Sequence, residues 1–357
     1  MEASAAPPGN RRIVEMLGQF WSWFFLLGLI VYFSLRGPGF LGLYNLQSIG
    51  ANMAIVLIMA LGQTFVIISG GIDLSTAFVM GLASVVSAMV MSSLGATQPL
   101  AVVVLAGLAA GVGVSLIPGL INGLLIARLG VPPFIGTLGM YGIARGFGFI
   151  FSGGQPVSVQ VNNLGRLGND YLLYYHPQFG VSFFGAPVGM EAPQLRESLR
   201  LLPYPLVLVI VLVLACMWLL RQTRFGQHTY AVGGNQEAAR RAGIPVERHV
   251  IKLYMLSAFF AAIAGVLYTL RFTNGAANAG EPLLLDSIAA IVIGGASLFG
   301  GAGAISGTLI GALIIAVIQN GLVIVGVNGF WQFVIVGVVI ILAVLVDQAR
   351  DRILAGG

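Results

Sequence analysis

Residues 49–69 read IGANMAIVLIMALGQTFVIIS, an apolar run without a single charged side chain. A transmembrane helix needs about 20 predominantly apolar residues to cross a hydrocarbon core of about 30 Å, and this run is long enough. Similar runs follow along most of the 357 residues, of which 58% are hydrophobic and 8% are charged. A soluble domain usually carries about three times that charged fraction. The composition therefore predicts an integral membrane protein without a separate soluble domain.

Apolar runs between charged and turn-forming residues predict an all-α polytopic fold with about ten transmembrane helices. The first run follows Arg11 and Arg12, as in a signal peptide, but it lacks an obvious small-residue cleavage site and is kept as a helix. We expect residues 1–357 to form a single transmembrane domain. The predicted helices cover 20–35, 49–69, 75–94, 99–126, 133–152, 204–220, 250–272, 284–300, 303–325 and 330–346.

The distribution of positive charge predicts the orientation of the chain. Six of the 17 lysine and arginine residues lie within residues 221–252. With both termini inside, this stretch, Arg128, Arg350 and Arg352 all face the cytoplasm, as the positive-inside rule requires. The formal net charge of +5 is thus explained by orientation and not by nucleic-acid binding.

Two further patterns concern the organisation of the chain. Residues 153–202 are too polar and too rich in Asn, Pro and Gly to span, so we expect an ordered outer cap or partner surface. Residues 122–126 (NGLLI) resemble residues 320–324 (NGLVI), which would equate helices 4 and 5 with helices 9 and 10. A five-helix offset inverts the topology, and inverted repeats are common in transporters.

Polar side chains inside the predicted spans are candidates for a transport path. Residues 70–75 read GGIDLS, and Asp73 there can either cap the next helix or act in the path or its gate. The others can bond the hydroxyl groups of a substrate or, equally, a neighbouring helix. The candidate path residues are Asn52, Gln63, Thr64, Asp73, Asn122, Thr137, Gln319 and Asn320.

The strongest motif is cytoplasmic, at residues 224–244, which read RFGQHTYAVGGNQEAARRAGI. Asn235 suits a helix N-cap, good helix formers follow it, and Gly243 with Pro245 ends the helix. Such a short helix gains little stability alone, so we interpret it as a rigid projection that fits a groove on another protein. An ordinary positive-inside loop is the alternative interpretation.

Taken together, these motifs resemble the permease subunit of a ribose-type ABC importer, a monosaccharide group related to branched-chain amino-acid permeases. The resemblance extends over nearly the whole chain. It is carried by residues 70–75, 120–123, 132–139, 223–243, 286–301 and 308–312. It implies that residues 221–249 form the coupling loop, in which the contacts to the ATPase would be Gly233, Gly234, Asn235, Glu237, Ala238, Ala239, Arg240 and Gly243.

The resemblance also implies partners and a location. We expect a multi-pass protein of the bacterial cytoplasmic membrane that works with an ABC ATP-binding subunit, a periplasmic or lipid-anchored sugar-binding protein and a second permease copy or paralogue. ATP and Mg would bind to the ATPase, and this chain would carry neither a cofactor nor a catalytic residue. The substrate would be a monosaccharide, either a ribose-like pentose, a hexose or inositol. The long outer loop departs from the compact pattern of ribose permeases.

The residues themselves exclude some chemistry and leave two alternatives. The only lysine, Lys252, is followed by Leu253, so the chain has no phosphate-binding loop of its own. The lone Cys216 has no partner for a disulfide, and the three histidines lack zinc-site spacing and are expected at the surface. The runner-up function is ion-driven secondary transport with Asp73, or Glu281 and Asp286, as coupling carboxylates. A non-transporting membrane scaffold is the third possibility.

Overall fold

The computed structural model describes residues 8–187 and 189–355, which are mostly helical. Each of the ten predicted apolar runs overlaps a helix. In chain order the helices are α1 (Pro8–Arg36), α2 (Leu43–Ile68), α3 (Thr76–Leu94), α4 (Leu100–Ala127), α5 (Pro133–Ser152), α6 (Leu164–Asn169), α7 (Ala192–Glu197), α8 (Tyr204–Gln222), α9 (Arg224–Gly234), α10 (Gln236–Arg241), α11 (Val246–Phe272), α12 (Leu283–Ile293), α13 (Ile305–Ile324) and α14 (Gly329–Ala355).

By length and composition, seven helices of the described chain qualify as membrane spans: α2, α3, α4, α5, α8, α11 and α13. The apolar parts of α1, α12 and α14 are shorter, at Trp21–Arg36, Leu283–Ile293 and Gly329–Val339. The polytopic membrane architecture is therefore confirmed, whereas the number of ten crossings stays a prediction. Its orientation, with both termini inside, also stays a prediction.

Helix α2 lies at the centre of the bundle. Buried residues make up 89% of its apolar window, against 22% for α4, which forms part of the periphery. Helices α3 and α11 pack beside α2, and small residues allow close approach: Gly62 of α2 lies against the α11 backbone at Ser257. The outward side chains of α4, such as Leu105 and Ile117, are apolar, as a lipid-facing helix requires.

The connections between helices meet at two opposite ends of the bundle. At one end the backbone N–H of Gly301 donates to the Ile68 carbonyl at 2.8 Å, next to α9. At the other end the Gln47 side chain donates to the Arg200 carbonyl at 2.7 Å. We name the first the coupling end, because it carries residues 221–249, and the second the outer end.

The outer end carries a folded cap, and here the all-α prediction is wrong. Three antiparallel strands form a sheet in the order β3-β2-β4. A separate pair joins β1 to β5, which follows α11. The strands, labelled in chain order, are β1 (Val157–Ser158), β2 (Tyr171–His176), β3 (Gly180–Phe183), β4 (Leu199–Pro203) and β5 (Asn274–Gly275).

Between α11 and α12 the chain runs inside the bundle without forming a helix. Residues 273–282 run alongside α3, where Ala277 contacts Gly81 and Gly280 contacts the backbone of Ala77. The Ser84 hydroxyl donates to the Ala276 carbonyl at 3.0 Å and accepts from its N–H at 3.1 Å. Irregular backbone is tolerated at membrane depth only where the protein itself supplies such partners. We call residues 273–282 the re-entrant segment.

Helix α12, which follows the re-entrant segment, is short. The predicted helix at 284–300 is wrong in its second half, because α12 ends at Ile293 after 11 residues. Gly295, Gly300 and Gly301 then take positive φ values of 85°, 88° and 77°, which a continuing helix cannot contain. Residues 294–304 therefore form a loop at the coupling end.

The contact between Gly81 and Ala277 provides a stability test. A methyl group on Gly81 would collide with the Ala277 carbonyl, whereas the space around Gly113 on α4 is open. We expect Gly81→Ala to lower the free energy of unfolding by about 1–3 kcal/mol, the usual cost of overpacking. Gly113→Ala should leave it unchanged or raise it by up to about 1 kcal/mol. Thermal unfolding in detergent measures both, and equal stability of the two variants would contradict the assigned packing.

Candidate functional site

The eight candidate path residues separate into a buried group and a group that lines a cavity. The buried group centres on Asp73, whose side chain is 3% exposed. Its Oδ1 accepts from the Ser75 N–H at 3.0 Å and from the Ser75 hydroxyl at 2.6 Å. Its Oδ2 accepts from the Ser257 hydroxyl of α11 at 2.8 Å. The carboxylate thus orders the turn before α3 and joins it to α11.

Two amide side chains extend this buried network. Gln63 of α2 donates to the Thr76 hydroxyl at 2.6 Å and to the Asp73 carbonyl at 3.2 Å. Asn122 of α4 donates to the Ser75 hydroxyl at 2.9 Å. Four helices, α2, α3, α4 and α11, are therefore linked through residues next to Asp73. Interhelical bonding of this kind is a common use of amides in membranes.

Thr64 and Thr137 also bond within the protein. The Thr64 hydroxyl donates to the Ala60 carbonyl at 2.6 Å and lies 2.8 Å from the Thr308 hydroxyl of α13. The Thr137 hydroxyl lies 2.8 Å from the Pro133 carbonyl and 3.3 Å from that of Ile72. Both are buried, like Gln63, Asp73 and Asn122. In this conformation the hydrogen bonds of all five side chains are made within the protein.

The other three candidates, Asn52, Gln319 and Asn320, line one cavity between α2 and α13, together with Ser48. Asn52 accepts from the Arg271 guanidinium at 2.9 Å. A second cavity, under the outer cap, shares Ser48 and Asn52 with the first. The two cavities therefore form a polar vestibule at the outer end, where a hydroxylated solute can find donors and acceptors.

One wall of this vestibule is formed by half-buried amide groups, one of which bonds to the buried carboxylate of Asp286. Gln319 donates to the Asp286 carboxylate of α12 at 2.8 Å, and Asn320 donates to the Asn45 side chain at 3.0 Å. Asn320 lies near the outer end, whereas Asn122 bonds at the coupling end, so the two similar Asn-Gly motifs occupy opposite ends. An inverted repeat requires that placement.

The local structure predicted for the coupling loop is confirmed. The Asn235 side chain accepts from the Ala238 N–H at 2.9 Å and so caps α10. Glu237 and Arg241 form an exposed ion pair at 3.2 Å. Gly243 has a φ of 83° and ends the helix. The short helix therefore projects a charged, solvent-exposed surface.

Helix α9, the longer helix that precedes this projection, was not predicted from the sequence. The Thr223 side chain accepts from the Gly226 N–H at 3.4 Å at the start of α9. Tyr230 of α9 donates its hydroxyl to the Gly303 carbonyl at 2.7 Å. Burial raises the pKa of Tyr230 above its ordinary value, so the donor stays protonated at neutral pH. Two sequence signals could have predicted α9: the N-cap residue Thr223 and the amphipathic pattern of the residues that follow it.

Four glycines join α9 to the bundle. Gly233 at the end of α9 lies against the Ile68 carbonyl, and Gly300 lies against both Gly233 and Gly70. A side chain on Gly233 would collide with Ile68. We name Gly70, Gly233, Gly300 and Gly301 the glycine junction. It holds the backbone of α9 directly against the backbone at the end of α2.

Two histidines differ from the expected surface position. His176 in the cap is 5% exposed and His249 on α11 is 4% exposed. The His249 Nε2 lies 3.0 Å from the Thr229 hydroxyl of α9, so its ring helps to hold α9 in place. Among the described residues, no group of three His, Cys, Asp or Glu side chains is arranged to hold a metal ion.

Comparisons with known proteins agree with this architecture. Residues 45–344 match the family described as the branched-chain amino acid transport system permease component. The ribose import permease RbsC of Bacillus subtilis is 36% identical over 95% of this chain and 94% of its own length. The fructose import permease FrcC of Rhizobium meliloti is 35% identical over 92% and 85%. The galactose/methyl galactoside import permease MglC of Escherichia coli K12 is 36% identical over 91% of each. No solved structure gives a significant match.

The three bonds on the Asp73 carboxylate predict a graded loss of stability. Asp73→Ala leaves the Ser75 and Ser257 donors without their acceptor, and we expect it to cost about 3 kcal/mol or more. Asp73→Asn keeps one acceptor oxygen and should cost less. Thermal unfolding in detergent measures the order of the two variants. If Asp73→Ala were as stable as the parent protein, the carboxylate would not hold α3 and α11 together.

Proposed function

Because the chain belongs to the branched-chain amino acid transport system permease family, we propose that it forms the membrane-spanning subunit of an ATP-driven importer for a monosaccharide. The observation that carries this proposal is similarity of about equal strength to import permeases for ribose, fructose and galactose. A ribose-like pentose, a hexose and inositol are the substrate candidates. Because these three relatives are all import permeases for sugars, they favour this function over ion-driven secondary transport.

The proposed mechanism is alternating access driven from outside the chain. A separate ABC ATP-binding subunit, with ATP and Mg bound to it, would dock on the exposed surface of α10. Closure of the ATPase would push α9 and α10, and the glycine junction would pass that push to α2 and the 294–304 loop. The support for this step is the direct backbone contact between Gly233 and Ile68.

Sugar entry is proposed at the outer end. A periplasmic or lipid-anchored binding protein would deliver the sugar to the cap, and the polar vestibule around Asn52 lies directly beneath it. Transport needs weak, scattered hydrogen bonds, because a solute that binds tightly does not leave. A second permease copy or paralogue would complete the path. In this scheme the binding protein selects the sugar.

The first test is uptake of a monosaccharide panel into proteoliposomes that contain the permease and its ATPase, with the binding protein supplied. We expect uptake only when ATP is available to the ATPase, since the described chain has no phosphate-binding loop. The sugar accumulated identifies the substrate. Uptake driven by an ion gradient without the ATPase would instead establish secondary transport.

Glu237 tests the coupling surface. We expect Glu237→Ala to uncouple ATP hydrolysis from uptake while leaving thermal stability unchanged, because its exposed ion pair with Arg241 contributes only about 0.3–0.5 kcal/mol. The measurement is the ratio of ATP hydrolysed to sugar accumulated in proteoliposomes. Glu247→Ala is the matched control, since Glu247 is also exposed and also lies in the first turn of a helix. Normal coupling in Glu237→Ala would remove Glu237 from the proposed contact.

A further inference from the structure

An arginine lies deep within an apolar helix. Arg145 is on α5, 12 residues after Pro133, which places it about 18 Å along a helix that rises 1.5 Å per residue. Its side chain is at the surface of this chain. A charge at such depth is costly in lipid, by about 2.5–3.5 kcal/mol on insertion scales, and usually faces a protein interior or a water-filled cavity. The surface around Arg145 is therefore unsuited to lipid.

The partners of Arg145 within the chain are aromatic. Its guanidinium carbon lies 5.4 Å from the ring centre of Phe78 and 6.0 Å from that of Phe149. The ion pairs found among the described residues do not include Arg145. Tyr141, one turn earlier on α5, packs edge-on against Phe78 at 4.5 Å. Arg145 thus belongs to an aromatic cluster and keeps its hydrogen-bond donors available.

The re-entrant segment brings polar residues to the same depth. Gly280 packs against the backbone of Ala77, which precedes Phe78, and Ala277 lies against Gly148 of α5. Two neighbours in this segment, Asn278 and Glu281, are exposed. A guanidinium, a carboxylate, an amide and aromatic rings therefore occur at one level of the bundle, between α5 and the start of α12.

We infer that Arg145, Asn278 and Glu281 form the wall of the translocation path that contacts the monosaccharide. The inference rests on the proposed function. A sugar carries hydroxyl groups that both donate and accept, so it can accept from Arg145, donate to Glu281 and do both with Asn278. Aromatic rings offer an apolar surface to its C–H faces. The opposite charges of Arg145 and Glu281 balance, which suits a neutral solute.

A cysteine-reactivity experiment tests whether this wall faces water. The only cysteine, Cys216, is buried in α8 and 2% exposed, so Cys216→Ala removes the single thiol. In that background, Asn278→Cys and Glu281→Cys in the permease reconstituted alone in lipid vesicles are treated with a charged, water-soluble methanethiosulfonate. Leu214→Cys is the control, because Leu214 lies in the middle of α8 and is 61% exposed.

We expect the thiols at 278 and 281 to react about tenfold or more faster than the thiol at 214, since the thiolate that reacts forms only in contact with water. Equal rates at all three positions would mean that the wall faces lipid and would overturn the inference. This assay needs neither ATP nor transport, so its result is independent of the proposed function.

A transport measurement then tests contact with the sugar. Arg145→Gln should lower ATP-dependent sugar uptake about tenfold, the loss of roughly one strong hydrogen bond, while ATP hydrolysis and assembly with the ATPase are retained. Arg36→Gln is the charge-matched control at the exposed end of α1. Unchanged uptake in Arg145→Gln, or loss of assembly in place of loss of uptake, would overturn the assignment.

Discussion

The contact of backbone against backbone between α3 and the re-entrant segment determines much of the architecture. Hydrocarbon offers no partner for a free N–H or carbonyl group, so a non-helical stretch at this depth must be held by protein. Gly81 lets Ala277 approach, and the Ser84 hydroxyl bonds both polar groups of the Ala276 backbone. The segment thereby reaches the interior, and α12 can begin there.

The same device occurs at the opposite end of the molecule. In the glycine junction, Gly233, Gly300 and Gly70 bring a surface helix, a loop and the end of α2 into direct contact. Between the two glycine contacts lies the Asp73 network, which joins α2, α3, α4 and α11 through buried hydrogen bonds. Backbone contacts and buried hydrogen bonds thus connect the coupling end to the inner helices α2, α3 and α11. These contacts involve backbone atoms or short, buried side chains.

Local signals in the sequence were sufficient for some features. The ten apolar runs located ten helices, because hydrophobicity over about 20 residues is a strong signal. The cap at Asn235 and the stop at Gly243 followed from residues within one turn of each other. The course of the re-entrant segment was not predictable in this way: its Gly, Asn and Pro residues indicate only a break between two helices, whereas its position inside the bundle depends on contacts with α3, which is distant in sequence. Arg145 was overlooked because a single charge barely changes the hydropathy of its run. The bonds of Gln63 and Asp73 join residues on different elements, and composition does not reveal such pairings.

The shortness of α12 bears on how the protein is made. Its 11 residues extend over about 16 Å, roughly half of the hydrocarbon thickness, so α12 cannot be held in a bilayer as an independent span. The re-entrant segment can take its observed position only where α3 is present to contact it. Its bond between Ser84 and Ala276 joins residues almost 200 positions apart, so this part of the fold can form only once both stretches of the chain have been made.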